Sequence, residues 1–191
     1  MSLKNWNARN WVLFLIILVA AATRFIPLMG DANWFNFTPV GAIALFAGTH
    51  FKNRWKAYCL PLLLLFVSDI FINYMYTGQW SAFYGGFAIV YLCFAAMVFI
   101  GSLIKKVSVG SVLLASLVGV LIHWLATDIE PWLSSPLYSK DITGYYQSLI
   151  AAIPFERNLL LGNLVFGAVL YGGFELAKSR FTVLQTKKEI A

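Results

Sequence analysis

Residues Arg24–Gly48, RFIPLMGDANWFNFTPVGAIALFAG, join an arginine at the end of one apolar run to a connection rich in aromatic and asparagine residues, then to a Gly/Ala-rich apolar segment opening at Pro39. How that last segment is read decides the fold. From Pro39 to Phe51 it has thirteen residues, and that much α-helix covers only about 20 Å against a hydrocarbon layer about 30 Å thick. Such a segment crosses only if it tilts, thins the bilayer around it, or is partly buried inside a bundle.

The rest of the chain makes a bilayer its solvent. Of 191 residues, 60% are hydrophobic, 17% aromatic and only 12% charged, with a mean hydropathy of +0.75, outside the range of soluble domains. A soluble core of this size cannot hide so many apolar side chains, whereas helices of about 20 residues expose them to lipid without penalty. The expectation is an all-α integral membrane protein, a single domain over residues 1–191. Its six spans are expected near residues 11–29, 39–51, 57–76, 81–104, 107–126 and 158–177, before a polar, frayed tail at 178–191. Ala20-Ala21-Ala22 resembles a signal-peptide cleavage site, but the apolar run continues through Phe25, Ile26, Leu28 and Met29 and reads as a retained helix. Between the last two spans lies a connection of about thirty residues holding Asp128, Glu130, Pro131, Trp132, Pro136, Lys140 and Asp141, within which Tyr145–Phe155 reads as an amphipathic interfacial piece.

Charge tests the number of crossings, because loops must alternate sides and basic residues collect on the cytoplasmic one. With the N-terminus inside, six crossings place Lys4, Arg9, Lys52, Arg54, Lys56, Lys105, Lys106, Lys178, Arg180, Lys187 and Lys188 inside, and only Arg24, Lys140 and Arg157 outside. Removing the short second span would move the 52–56 cluster outside and spoil the asymmetry, so it is counted as a crossing. The expected location is the bacterial inner membrane, multi-pass, with both termini cytoplasmic. The net charge of +6 is accounted for by this topology and does not call for nucleic acid. Cys59 and Cys93 both sit in apolar runs and read as packing residues, with a thiol ligand to a metal-containing substrate as the alternative.

Ionisable residues within a bilayer cost several kcal/mol and mark candidate sites. Asp69 is followed by Asn73 and Tyr76 on one helix face, a carboxylate, an amide and a phenol together. Its alternative role is an ion pair with Arg24 or Arg157. Arg24 either snorkels to the outer interface or, with Asn36, Thr38 and the walls Trp34, Phe35 and Phe37, contributes to a pocket of the mixed apolar and polar kind that small molecules need. His123 near the end of the fifth span, and Arg157 and Asn163 at the start of the sixth, complete the candidate ligand-binding set. His50 lies at the inner end beside the basic cluster, and Glu175 beside Lys178 reads as solvated. Ser111, Ala115 and Gly119 form a small-residue stripe suited to close helix approach. There is no Walker sequence, HExxH, GxSxG or CxxC pair, so neither catalysis nor a cofactor or metal site is expected.

The segments RFIP, NFTPVGAIALFAG, PLLLLFVSD and AAIPFERNLLLGNLVFGAVLYGGFELA resemble a widespread family of small uncharacterised bacterial membrane proteins described as transport proteins. That family is in turn similar to the substrate-binding S components of energy-coupling factor vitamin transporters, including the solitary cobalamin-specific type. The resemblance implies a six-helix bundle that binds a vitamin-like molecule near its outer face. Beyond that small molecule and the lipid bilayer, the partner is left open: the bundle reorients alone, is driven by a separate ATPase module, or works with other membrane subunits. Two departures stand out: contiguous Ala20-Ala21-Ala22 replaces the AxxxA-type docking motif, and Ala82 stands where a cobalt-ligating thiol would be expected, which speaks against cobalamin itself. The function expected is uptake of a small vitamin-like micronutrient. A structural or assembly subunit of a larger membrane complex, or an intramembrane enzyme using Asp69 and His123, are the alternatives.

Overall fold

A computed structural model describes residues 8–25 and 34–185, and among these every regular element is helical. In chain order they are α1 (Ala8–Ala22), α2 (Val40–His50), α3 (Arg54–Thr77), α4 (Phe87–Ser102), α5 (Val109–Thr127), α6 (Ile129–Ser134), α7 (Ile142–Gly167) and, after a π-helical stretch at Ala168–Gly172, α8 (Gly173–Arg180). Among the described residues four continuous helical stretches are long and apolar enough to cross a membrane: Ala8–Phe25, Arg54–Thr77, Val109–Ser134 and Ile142–Arg180. Helices α2 and α4 are apolar but shorter.

The short α2 is the centre of the molecule. Nearly every one of its residues is buried, with Val40, Ile43, Ala44, Phe46 and Ala47 at 0% exposure. A helix that is apolar all round has no face for water and belongs in the core of a bundle. Its small residues let neighbouring backbones come close. A Cβ placed on Gly48 would fall on the carbonyl oxygen of Val98, and one on Gly101 would fall on that of Leu45, so α2 and α4 touch backbone to backbone. On the other side, the backbone of Thr38 lies against Gly162 of α7.

The stripe on α5 is used within the chain. Ala115 and Gly119 are buried, and a Cβ on Gly119 would lie 3.0 Å from the Met97 side chain of α4. Cys93 is buried and Cys59 half-buried, and both are free.

Several boundaries differ from expectation for local reasons. Helix α4 begins at Phe87 rather than 81 because its N-cap, Gly86, adopts φ 73°, a left-handed conformation that interrupts any helix running in from the preceding turn. Helix α1 starts earlier, at Ala8, and residues 26–29 of the expected first span lie outside the described residues. The largest correction concerns the connection before the last span. No separate interfacial piece exists: α7 starts at Ile142 and the helical path runs unbroken to Arg180. Asp141 sets that start as N-cap, its carboxylate accepting from the Gly144 N–H at 2.8 Å and from the Ser139 hydroxyl at 2.8 Å. These bonds hold the exposed Asp141 carboxyl below its ordinary range. Pro154 removes one backbone donor inside α7, yet the helix continues because its first turns are tied to α5. The Trp124 indole donates to the Leu149 carbonyl at 3.0 Å and the Tyr145 hydroxyl to the Leu125 carbonyl at 2.6 Å. The start of the tail is likewise packed rather than frayed, with Leu184 only 3% exposed; residues 186–191 lie outside the described residues.

Because the α2–α4 contact leaves no room for a methyl group, Gly101→Ala and Gly48→Ala should each destabilise the protein by roughly 1–3 kcal/mol. Gly172→Ala, where an added Cβ meets nothing within 4 Å, should leave stability unchanged or slightly raised. Melting temperatures of the three variants in one detergent check this.

Candidate functional site

Arg24 follows the last α-helical turn of α1 and points inward rather than snorkelling outward. Its Nη2 lies 2.7 Å from Asp69 Oδ1, with the two side chains only 13% and 4% exposed. Its Nη1 donates to the Leu65 carbonyl at 3.2 Å and to the Ser68 hydroxyl. The second Asp69 oxygen accepts from the Tyr91 hydroxyl at 3.0 Å and more loosely from Tyr84 at 3.4 Å. Tyr84 lies in the turn before α4, where burial, then the Asp69 charge, raises the pKa of its phenol and keeps it a donor. Both carboxylate oxygens are thus occupied, as a buried charge requires. Of the two partners considered for Asp69, the structure selects Arg24. Arg157 is exposed, and the proposed meeting of Arg157 with Asp69 does not occur.

Beside this pair lies a cavity of about 300 Å³ lined by Arg24, Asn36, Thr38, Tyr84, His123, Asp128 and Glu156, with apolar walls that include Phe94, Phe155 and Leu159. It brings together four of the expected residues, Arg24, Asn36, Thr38 and His123, from three separate parts of the chain. The loop bearing Asn36 and Thr38 is pinned from below by the Asn158 amide, which donates to the Phe35 carbonyl at 2.9 Å. Trp34 and Phe37 pack edge to face at 5.5 Å. Asn36 itself sits at φ 64°, a left-handed conformation that asparagine tolerates better than most residues.

The floor of the cavity carries a second buried pair. His123 Nδ1 lies 3.0 Å and 3.2 Å from the two oxygens of Glu156, and both residues are buried. Asp128, at the end of α5, accepts from the Ser148 hydroxyl at 3.1 Å. Since Asp69 is balanced by Arg24, the cavity presents two further carboxylates against one imidazole. It can accept hydrogen bonds or a cationic group from a ligand.

Three expected residues lie elsewhere. Asn73 donates from Nδ2 to the Ser81 carbonyl at 2.9 Å and anchors the loop after α3. Arg157 faces outward. Asn163 lies one turn below Leu159, outside the cavity lining, with its side chain against Gly41 and neither amide atom hydrogen-bonded. The sequence reading missed Glu156, Tyr84 and Tyr91. Glu156 was legible in principle: it shares an i, i+3, i+7 face with Leu159 and Asn163, whereas Arg157 is turned about 100° away on the helix. Tyr84 and Tyr91 had no local signal, because their role comes from Asp69 of another helix. His50 is buried among Phe46, Tyr171 and Phe174, and Glu175 pairs with Lys178 at 2.7 Å.

Removing one partner of the Arg24–Asp69 pair leaves a buried charge uncompensated. Arg24→Ala or Asp69→Ala should therefore cost about 3–5 kcal/mol. The double substitution should cost clearly less than the sum of the two, and denaturant or thermal unfolding of the four proteins in one detergent measures that coupling.

Comparison with known proteins finds no match among curated proteins or solved structures. Residues 4–185 match the family of unknown function DUF6580. That match spans nearly the whole chain, and the protein therefore belongs to the DUF6580 family.

Proposed function

We propose that this protein is a six-crossing substrate-binding membrane protein that takes up a small, vitamin-like micronutrient, resembling the S components of energy-coupling factor transporters. The observation that carries the reading is the 300 Å³ cavity in which Arg24, Asn36, Thr38 and His123 meet Asp128 and Glu156 within an otherwise apolar bundle. In a bilayer such a convergence of ionisable groups marks a ligand or ion pathway, and its mixture of apolar walls with a few polar groups suits a small molecule.

The topology in this reading uses α1, α2, α3, α4, α5 and the continuous α7–α8 path as crossings. Helices α2 and α4 are short for the purpose, and the burial of α2 supports its crossing inside the bundle, away from lipid. The cavity then opens outward at the end of α5, while Lys52, Lys105 and Lys106 face the cytoplasm. A ligand bearing a donor or cationic group would compete with His123 for Glu156 and engage Asp128, with the 34–38 loop as one wall. The Arg24–Asp69 pair acts as the fixed edge of the site. Inward release requires the bundle to reorient, either alone or driven by a separate ATPase module.

Purified protein screened against a panel of vitamins and their precursors should show a ligand that raises its melting temperature. Glu156→Gln and Asp128→Asn should reduce the ligand's affinity about tenfold or more, the scale of a lost charged hydrogen bond. Absence of any stabilising ligand, or a shift unaltered in both variants, would overturn the proposal.

A further inference from the structure

A second concavity, of about 430 Å³, lies at the opposite end of the bundle, where α2 ends and α5 begins. Arg9, Lys52, Lys105, Lys106 and Lys178 all line it, and Glu175 is the one carboxylate among the described lining residues. That carboxylate is already engaged by Lys178 at 2.7 Å.

Five cations from four separate segments converge here: the start of α1, the turn after α2, the connection after α4, and α8. The topology rule accounts for their number on this side of the membrane but not for their meeting around one hollow. Snorkelling alone would spread the ammonium groups outward around the girth of the bundle. Mutual repulsion within a concavity opposes folding unless an anion is present to offset it.

One cation is held in place. The Arg9 guanidinium donates to the His50 carbonyl at 3.3 Å and lies 5.6 Å above the centre of the Phe174 ring. The neighbouring floor is also rigid. The Thr49 hydroxyl is 2.9 Å and 3.0 Å from the Leu45 and Gly101 carbonyl oxygens and 2.8 Å from the Tyr171 hydroxyl. The exposed Lys52, Lys105 and Lys106 can move, so a fixed guanidinium faces several adaptable ammonium groups.

We propose that this cavity binds a phosphate group, supplied either by an anionic phospholipid headgroup or by phosphate free in solution. Phosphate offers several acceptor oxygens and a concentrated negative charge. Those are the features that a fixed arginine and mobile lysines recognise together. A bilayer presents such headgroups at the level of a bundle's end.

The full-length protein in detergent would be titrated with phosphatidylglycerol and with phosphatidylcholine of the same acyl chains, read by native mass spectrometry. Inorganic phosphate would be titrated against chloride at equal ionic strength, read by calorimetry. Lys105→Gln with Lys106→Gln should weaken binding about ten- to thirtyfold, whereas Arg54→Gln and Arg180→Gln, cations of the same end outside the cavity lining, should change it little. Preference for phosphatidylglycerol without phosphate binding identifies the headgroup as the source, and phosphate binding without lipid preference identifies the free anion. The proposal is overturned if neither ligand is distinguished from its control. It is equally overturned if the Arg54 and Arg180 variants weaken binding as much as the lysine pair, since diffuse surface charge would then suffice.

Discussion

Helix α2 meets α4 backbone to backbone at Gly48 and Gly101, and the remaining architecture is arranged around that contact. Lipid gives apolar helices no reason to associate by hydrophobicity alone, so close van der Waals packing must supply it. A helix of eleven residues built from small and apolar side chains achieves this where a bulkier one would be held off. With α2 fully enclosed, α3, α5 and α7 form its walls, and the polar groups that cannot face lipid are directed to the two ends.

At one end, ionisable side chains are resolved pairwise: Arg24 with Asp69, His123 with Glu156, Asp128 with Ser148. Each bond joins different helices or a helix and a loop, so the same contacts that satisfy buried charge also tie the bundle together. The cost of burying these groups is offset only because nearly every lone pair has a donor. Among the described residues Asn163 departs from this, an amide packed against Gly41 with neither of its polar atoms hydrogen-bonded, and so does the buried Ser116 hydroxyl of α5. The other end is organised differently, with cations gathered around a concavity and a single carboxylate among its described lining residues. The two ends therefore differ in chemistry as well as in charge: one buries its ionisable groups in specific hydrogen bonds with a carboxylate to spare, the other gathers an excess of cations that an external anion could balance.

Helical class, and the presence of helices long and apolar enough to cross a membrane, were legible in the sequence because they depend on composition and run length, which are local and cumulative. Arg24, Asn36, Thr38, Asp69 and His123, which the structure brings to or beside one cavity, stood out in the sequence too, since a polar side chain in an apolar chain is conspicuous wherever it falls. Boundaries were less so. Gly86 delayed α4, and Asp141 began α7 well before the expected last span, because a cap acts through geometry that composition does not show.

Tertiary structure alone decided the pairings. Asp69 could have met either of two arginines, and helix phase settled the matter: residues 156 and 157 of α7 point in directions about 100° apart, so Glu156 reaches His123 while Arg157 faces outward. Continuity through Pro154 rests likewise on α5, whose Trp124 and Leu125 hold the first turns of α7. Local pattern determines what each segment is and roughly where it lies. Which charged group faces which depends on contacts between residues far apart in the chain, and only the packed bundle fixes those.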